Sequence, residues 1–142
     1  MANLSSDKKT VAADSTASPQ ITPMSVIAPA VGWLIPGFGH IIQGRWMRGL
    51  LLMFSVVTMF GLGLAMQGHA YKPNGGDILD ILGFVGDLGA GGLYIVTRAM
   101  DWGAGAIAFA TADYGTKYLI VAGLLNFICV ADAYHIAIGK KP

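Results

Sequence analysis

Polar positions are scarce along this chain, and where they fall divides it into long apolar runs with short breaks. Four runs stand out, at residues 24–42, 49–66, 78–96 and 118–138. Crossing the hydrocarbon of a bilayer takes about 20 residues of α-helix, within a range of roughly 17–25, so the last three qualify on length. The first qualifies if neighbouring helices satisfy the backbone groups freed at Pro36. None of the runs alternates as a lipid-facing barrel strand does. Nor do they offer the polar outer faces of a water-soluble helical globule; LLLMFSVVTMFGLGLAM in the second run has almost none. The pattern therefore predicts an all-α integral membrane bundle of about four spans, a membrane domain over residues 23–142. Residues 1–22 are small, polar and aperiodic, which predicts a disordered tail. Asp7 and Asp14 speak against a signal peptide there, although IAPA around Ala28 and Ala30 imitates a small-residue cleavage site.

The connections fit this plan. KPNGGD, ending at Asp77, is turn chemistry, and Asp77 is placed to cap the third helix. Residues 98–117, RAMDWGAGAIAFATADYGTK, are oddly apolar yet too short to span, which predicts an interfacial or re-entrant element. With four crossings, Lys8, Lys9, Lys72, Lys140 and Lys141 share one side, and Arg45, Arg48, Arg98 and Lys117 the other. The positive-inside rule then discriminates weakly, in favour of both termini inside.

Composition sharpens the picture of the medium. The chain is 54% apolar and only 12% charged, against about 25% charged in average soluble domains. A net charge of +1 leaves no basic field for nucleic acid. The acidic residues are all Asp. The single cysteine, Cys129, lies within an apolar run and offers neither a disulfide nor a metal cluster.

The densest group of helix breakers and charge is PGFGHIIQGRWMRG, from Pro36 to Gly49. Pro36–Gly37 suits a tight turn, because Pro fixes φ and Gly takes the left-handed position. Arg45, Trp46 and Arg48 suit the headgroup zone, where cations meet phosphate and indole prefers the boundary. One reading is a hairpin turn anchored at the interface. A sharper one is an anion or lipid-headgroup site built from His40, Arg45, Trp46, Arg48 and glycine N–H groups. His69 and His135 are not at metal-ligand spacing from His40.

This stretch resembles the PG-x-GH-x-x-x-G-x-x-x-x-G pattern of small bacterial membrane proteins related to the two-transmembrane-helix (TM-two) domain. DYGTKYLIVAGLLNFICVADAYHIAIGKK, from Asp113 to Lys141, is similar to the C-terminal end of a family of uncharacterised four-span bacterial proteins. The two stretches cover about a third of the chain. The resemblance implies a location in the bacterial inner membrane and no established activity.

The remaining chemistry sits inside the apolar runs. Asp80 and Asp87, seven apart, project to one side of a helix, with Gly83, Ala90, Gly91 and Tyr94 on that face. An Asp at the centre of a span costs about 2.5–3.5 kcal/mol on insertion scales. Asp87 therefore needs a partner, such as Ser55, Thr58 or Asn126, or water or a proton. In the fourth run, Asp132 and His135 lie three apart and can meet on one face, and Asn126 can bond across to another helix. These groups read either as interhelical glue or as a proton or cation path through Asp87 and Asp132, which in so small a chain implies an oligomer. Enzyme motifs are absent: no G-x-S-x-G, H-E-x-x-H or P-loop. FVGDLG lacks the first glycine of the GxGD setting of intramembrane aspartyl proteases. Met47, Met53, Met59 and Met66 read as bundle packing, not a copper site. The expectation is a non-enzymatic scaffold or accessory subunit packing through glycine-rich helix faces, without cofactor or metal. Its partners are the lipid bilayer and either further copies of itself or another membrane protein.

Overall fold

The computed structural model describes residues 21–73, 77–105 and 110–140. Among these residues the fold is all-helical, with one isolated antiparallel bridge between His69 and Ala104. Six helices follow in order: α1 (Met24–Leu34), α2 (Phe38–Ile42), α3 (Trp46–Ala65), α4 (Ile78–Leu88), α5 (Gly92–Ala99) and α6 (Ala112–Ala137). Most of the expected tail, the turn residues 74–76 and the apolar run 106–109 lie outside the described residues.

The second and fourth apolar runs become single helices because nothing inside them removes a backbone donor. α3 has 20 residues and α6 has 26, about 30 and 39 Å of helix. Both are long and apolar enough to cross a membrane. Their outward side chains are large and apolar: Phe54 is 72% exposed and Ile128 65%. Water would make such a surface an aggregation hazard, whereas hydrocarbon makes it an ordinary one.

The other two runs do not form single helices. Pro36 and Gly37, the latter at φ 78°, separate α1 from α2, and neither piece reaches spanning length. The third run breaks at residues 89–91, with Gly91 at φ 58°, and its halves α4 and α5 meet at 110°. Where four spans are expected, two helices qualify, or three if the bent pair is counted as one. The break also corrects the expected face shared by Asp87, Gly91 and Tyr94, because the latter two belong to the far side of the bend. Asp77 caps α4 as expected, its carboxylate accepting from the Leu79 N–H at 3.4 Å. Residues 112–117, expected within a connecting element, instead form the first turns of α6.

α6 is the central post. α3 runs antiparallel to it: Arg48 at the start of α3 reaches Asp132 near the end of α6, while Gly63 lies against Gly115 and Leu119 at the other end. α1 and α2 form a hairpin along the late half of α6. Trp33 at the end of α1 meets Asn126, and the chain then returns so that Gly39 lies between Ala28 and Ala133. α4 and α5 form a second hairpin along the early half. Gly86 faces Ile120 and Gly89 faces Gly123, after which α5 returns until Thr97 and Gly103 sit beside Ala70. The two hairpin tips touch at the middle of α6, where Gly91 lies on the Trp33 carbonyl and Gly92 on the Leu34 carbonyl.

Candidate functional site

Two polar clusters lie along α6. The first closes the open end of the α1–α2 hairpin. His40, 1% exposed, holds Asp132 Oδ2 at 3.1 Å through Nε2. Arg48 Nη1 donates to the same oxygen at 3.4 Å. Gln43 Nε2 donates to the carbonyls of Gly39 at 2.8 Å and Ala133 at 3.0 Å. The end of α2 is thus tied by side chains to the last turns of α6, and the carboxylate lies between an imidazole and a guanidinium.

The predicted headgroup residues therefore divide. His40 points inward to a carboxylate, whereas Trp46 and Arg48 are exposed, 64% for Trp46. Arg45, Trp46 and Arg48 line a shallow cleft of about 360 Å³. Asp132 and His135, expected to meet on one face, are separated by role. Asp132 turns to His40 and Arg48, while His135 is exposed beside the Tyr134 ring, centroids 6.0 Å apart.

The second cluster sits where the hairpin tips meet. Breaking α4 from α5 frees carbonyls that hydrocarbon cannot satisfy. Trp33 Nε1 donates at 3.1 Å to the Leu88 carbonyl, which also accepts the Gly91 N–H at 3.0 Å. Asn126 Nδ2 donates to the Gly89 carbonyl at 2.9 Å and the Trp33 carbonyl at 3.2 Å. One amide on the central helix thereby holds both tips. Nearby Asp87, wholly buried, accepts from the Tyr71 N–H at 2.7 Å through Oδ2, and the Tyr94 hydroxyl donates to the Tyr71 carbonyl at 2.8 Å. Its partner is thus a loop backbone rather than Ser55 or Thr58, which lie on the exposed side of α3. Asp87 Oδ1 and Asn126 Oδ1 are buried and make no hydrogen bond. Asp80 is half-buried, on the first turn of α4.

A family pattern spans this whole arrangement: that of a family of unknown function, DUF6677, matches residues 27–142, from α1 through the end of the chain. The chain belongs to the DUF6677 family. No curated protein and no solved structure matches it. Both polar clusters of this DUF6677 chain fall inside the matched region.

Several residues that matter here carry no mark in the sequence. Trp33, Gln43 and Tyr71 act on or through backbone atoms of distant segments, and a backbone carbonyl has no residue type to read. Their one signal is a polar tip beside a glycine- or proline-broken helix, where freed carbonyls need donors. Among the described residues, no group of three or more His, Cys, Asp or Glu could hold a metal ion.

Proposed function

We propose that this DUF6677 protein is a non-enzymatic scaffold or accessory subunit of a bacterial inner membrane, which crosses the bilayer twice. α3 and α6 are the crossings, and the two hairpins enter from opposite faces and stop at mid-depth. The antiparallel pairing of α3 and α6 supports this topology. Alternating crossings through a spanning α4–α5 unit would make the two long helices parallel, and Arg48 could not then reach Asp132.

Charge supports it as well. With two crossings, Lys8, Lys9, Arg45, Arg48, Lys140 and Lys141 share a face, and the remaining three of the nine basic residues, Lys72, Arg98 and Lys117, share the other. Six against three is a clearer bias than four crossings give, and it puts both termini inside.

The scaffold reading rests on one observation: the conspicuous polar side chains of the interior bind other elements of the same chain. His40, Gln43, Asn126, Trp33 and Asp87 each tie a hairpin or loop to a neighbour. That use satisfies a broken backbone and leaves the apolar exteriors of α3 and α6 for lipid, for further copies or for another membrane protein. Affinity purification in mild detergent tests it, with a stoichiometric membrane partner or a defined homo-oligomer as the expected result. A chain that purifies alone as a monomer sinks it.

One observation favours a second reading, a proton- or cation-handling oligomer. Asp87 Oδ1 and Asn126 Oδ1 are buried acceptors at mid-depth with no donor, a setting that a proton or small cation would relieve. Asp87→Asn separates the two. As scaffold, the variant folds and keeps its partners, because the amide oxygen still accepts from Tyr71. Asp87→Leu leaves that N–H orphaned, at a cost of about 1–3 kcal/mol. Normal insertion of Asp87→Asn in liposomes with a large loss of ion flux establishes the second reading in place of the first.

For half-buried Arg45 and exposed Arg48 the expected role is contact with acidic lipid. Arg45→Gln with Arg48→Gln should reduce enrichment of anionic lipid around the purified protein, by about 1 kcal/mol per arginine. Native mass spectrometry reads this directly, and unchanged enrichment retires the headgroup site.

A further inference from the structure

A third feature is a cavity that shares only Tyr71 with the polar clusters. It is a groove of about 760 Å³ between α4 and α6, along the half of α6 opposite to Asp132. Its lining is segregated along its length. His69, Asp113, Thr116 and Lys117 lie at the mouth, with Leu79 of α4 and Tyr71 beside them, while Leu82, Ile120 and Leu124 line the part that runs towards mid-depth. On α6 the lining extends from Asp113 to Leu124, about 16 Å of helix, or half of a hydrocarbon core about 30 Å thick. The groove is therefore one leaflet deep, polar at headgroup level and apolar below it.

The mouth carries both signs of charge. Asp113 and Lys117 are exposed, four residues apart, and the ion pairs found among the described residues are those on Asp132, not between these two. Lys117 Nζ instead lies 5.3 Å over the Tyr114 ring. His69 Nδ1 lies 3.0 Å from the Ala104 carbonyl. A carbonyl only accepts, so Nδ1 carries the hydrogen, and in the neutral ring Nε2 is left as an acceptor. Thr116 Oγ1 is occupied, donating to the Ala112 carbonyl and accepting the His69 N–H, both at 2.9 Å. The mouth thus offers one cationic donor and two acceptors, the Asp113 carboxylate and the His69 ring nitrogen.

We propose that this groove binds one phospholipid of its leaflet, a zwitterion bearing a phosphate and a primary ammonium, with one acyl chain between α4 and α6. Lys117 takes the phosphate, and Asp113 and His69 take the ammonium. A purely anionic headgroup leaves Asp113 opposed by like charge, and a quaternary amine lacks the N–H donors that the two acceptors require. The site rests on the crossing of the bilayer by α6 in that reading, and not on the scaffold role.

The test uses the full chain in detergent micelles doped with phosphatidylethanolamine, phosphatidylcholine or phosphatidylglycerol, and native mass spectrometry of the lipid retained. One phosphatidylethanolamine per chain is the expected result. Leu124→Trp fills the groove from an exposed position and should lower retention about tenfold, matching the loss of a few buried methylenes. Leu51→Trp, on the exposed side of α3, should leave it unchanged. Asp113→Asn and Lys117→Gln disturb no packing and should each weaken phosphatidylethanolamine retention about threefold, as an exposed ion pair allows. Equal retention of all three lipids, or equal loss from Leu124→Trp and Leu51→Trp, shows ordinary annular lipid and overturns the site.

Discussion

Single cysteines at Arg45→Cys and Lys140→Cys will react with a membrane-impermeant maleimide from one face of the membrane, and those at Lys72→Cys and Asp101→Cys from the other. The background carries Cys129→Ala, since Cys129 is buried and the lone native thiol. The expected difference is all-or-none. The proposed topology requires it: α3 and α6 are antiparallel, so an even number of crossings separates them, and on that topology the bent α4–α5 unit contributes none. For the same reason α1 and α2 begin and end beside the Asp132 end of α6. Four alternating crossings predict the reverse in both pairs, with 45 opposite 140 and 72 opposite 101. Labelling in intact vesicles and after permeabilisation decides it, and opposite faces for 45 and 140 remove the hairpin topology. Its consequence for function is a matter of sides. The His40–Arg48–Asp132 cluster then faces the compartment of both termini, and the His69–Lys117 groove faces the other.

The second large effect is expected at the meeting of the hairpin tips. Gly91 adopts φ 58°, and a Cβ there would drive into the Trp33 carbonyl oxygen. Gly91→Ala thus combines left-handed strain with a collision against backbone that cannot yield without parting the tips. Parting them releases the Asn126 and Trp33 hydrogen bonds that satisfy the break. The expected loss is on the order of 3 kcal/mol or more. Two other glycines calibrate it. Gly44→Ala has φ 78° but nothing within 4 Å, so it should carry only the left-handed strain, about 1–2 kcal/mol. Gly61→Ala lies in open space on α3 and should be neutral, or stabilising by up to about 1 kcal/mol. Unfolding midpoints in mixed detergent rank the three. A Gly91→Ala protein as stable as Gly61→Ala means that the tips do not meet as described.

How much of this was legible depends on the kind of information each feature needs. α3 and α6 could be read directly, because an uninterrupted apolar window of spanning length has few other solutions. The first and third runs could not, and the reason is physical. A straight helix and a hairpin of two short helices bury the same residues in the same hydrocarbon, so hydropathy cannot tell them apart. Pro36–Gly37 was visible as a weak point, but a kink, a break and a reversal begin from the same residues, and the glycines around Gly91 read as a packing face of one continuous helix. The polar residues were similarly half legible. His40, Arg48, Asp87, Asn126 and Asp132 stood out by rarity in an apolar setting, as a costly group in hydrocarbon must. Their pairing did not, since His40 and Asp132 come from opposite ends of the chain and the partners of Asn126 and Asp87 are backbone atoms.

By itself the sequence determined the medium. Transfer free energy adds residue by residue, so a chain 54% apolar and 12% charged declares hydrocarbon whatever its fold. Direction belonged to the tertiary structure alone. Whether a broken helix continues or turns back is decided by which distant donors reach the carbonyls at its break, here Trp33 of α1 and Asn126 at the middle of α6, and contacts of that kind exist only once the chain has closed on itself.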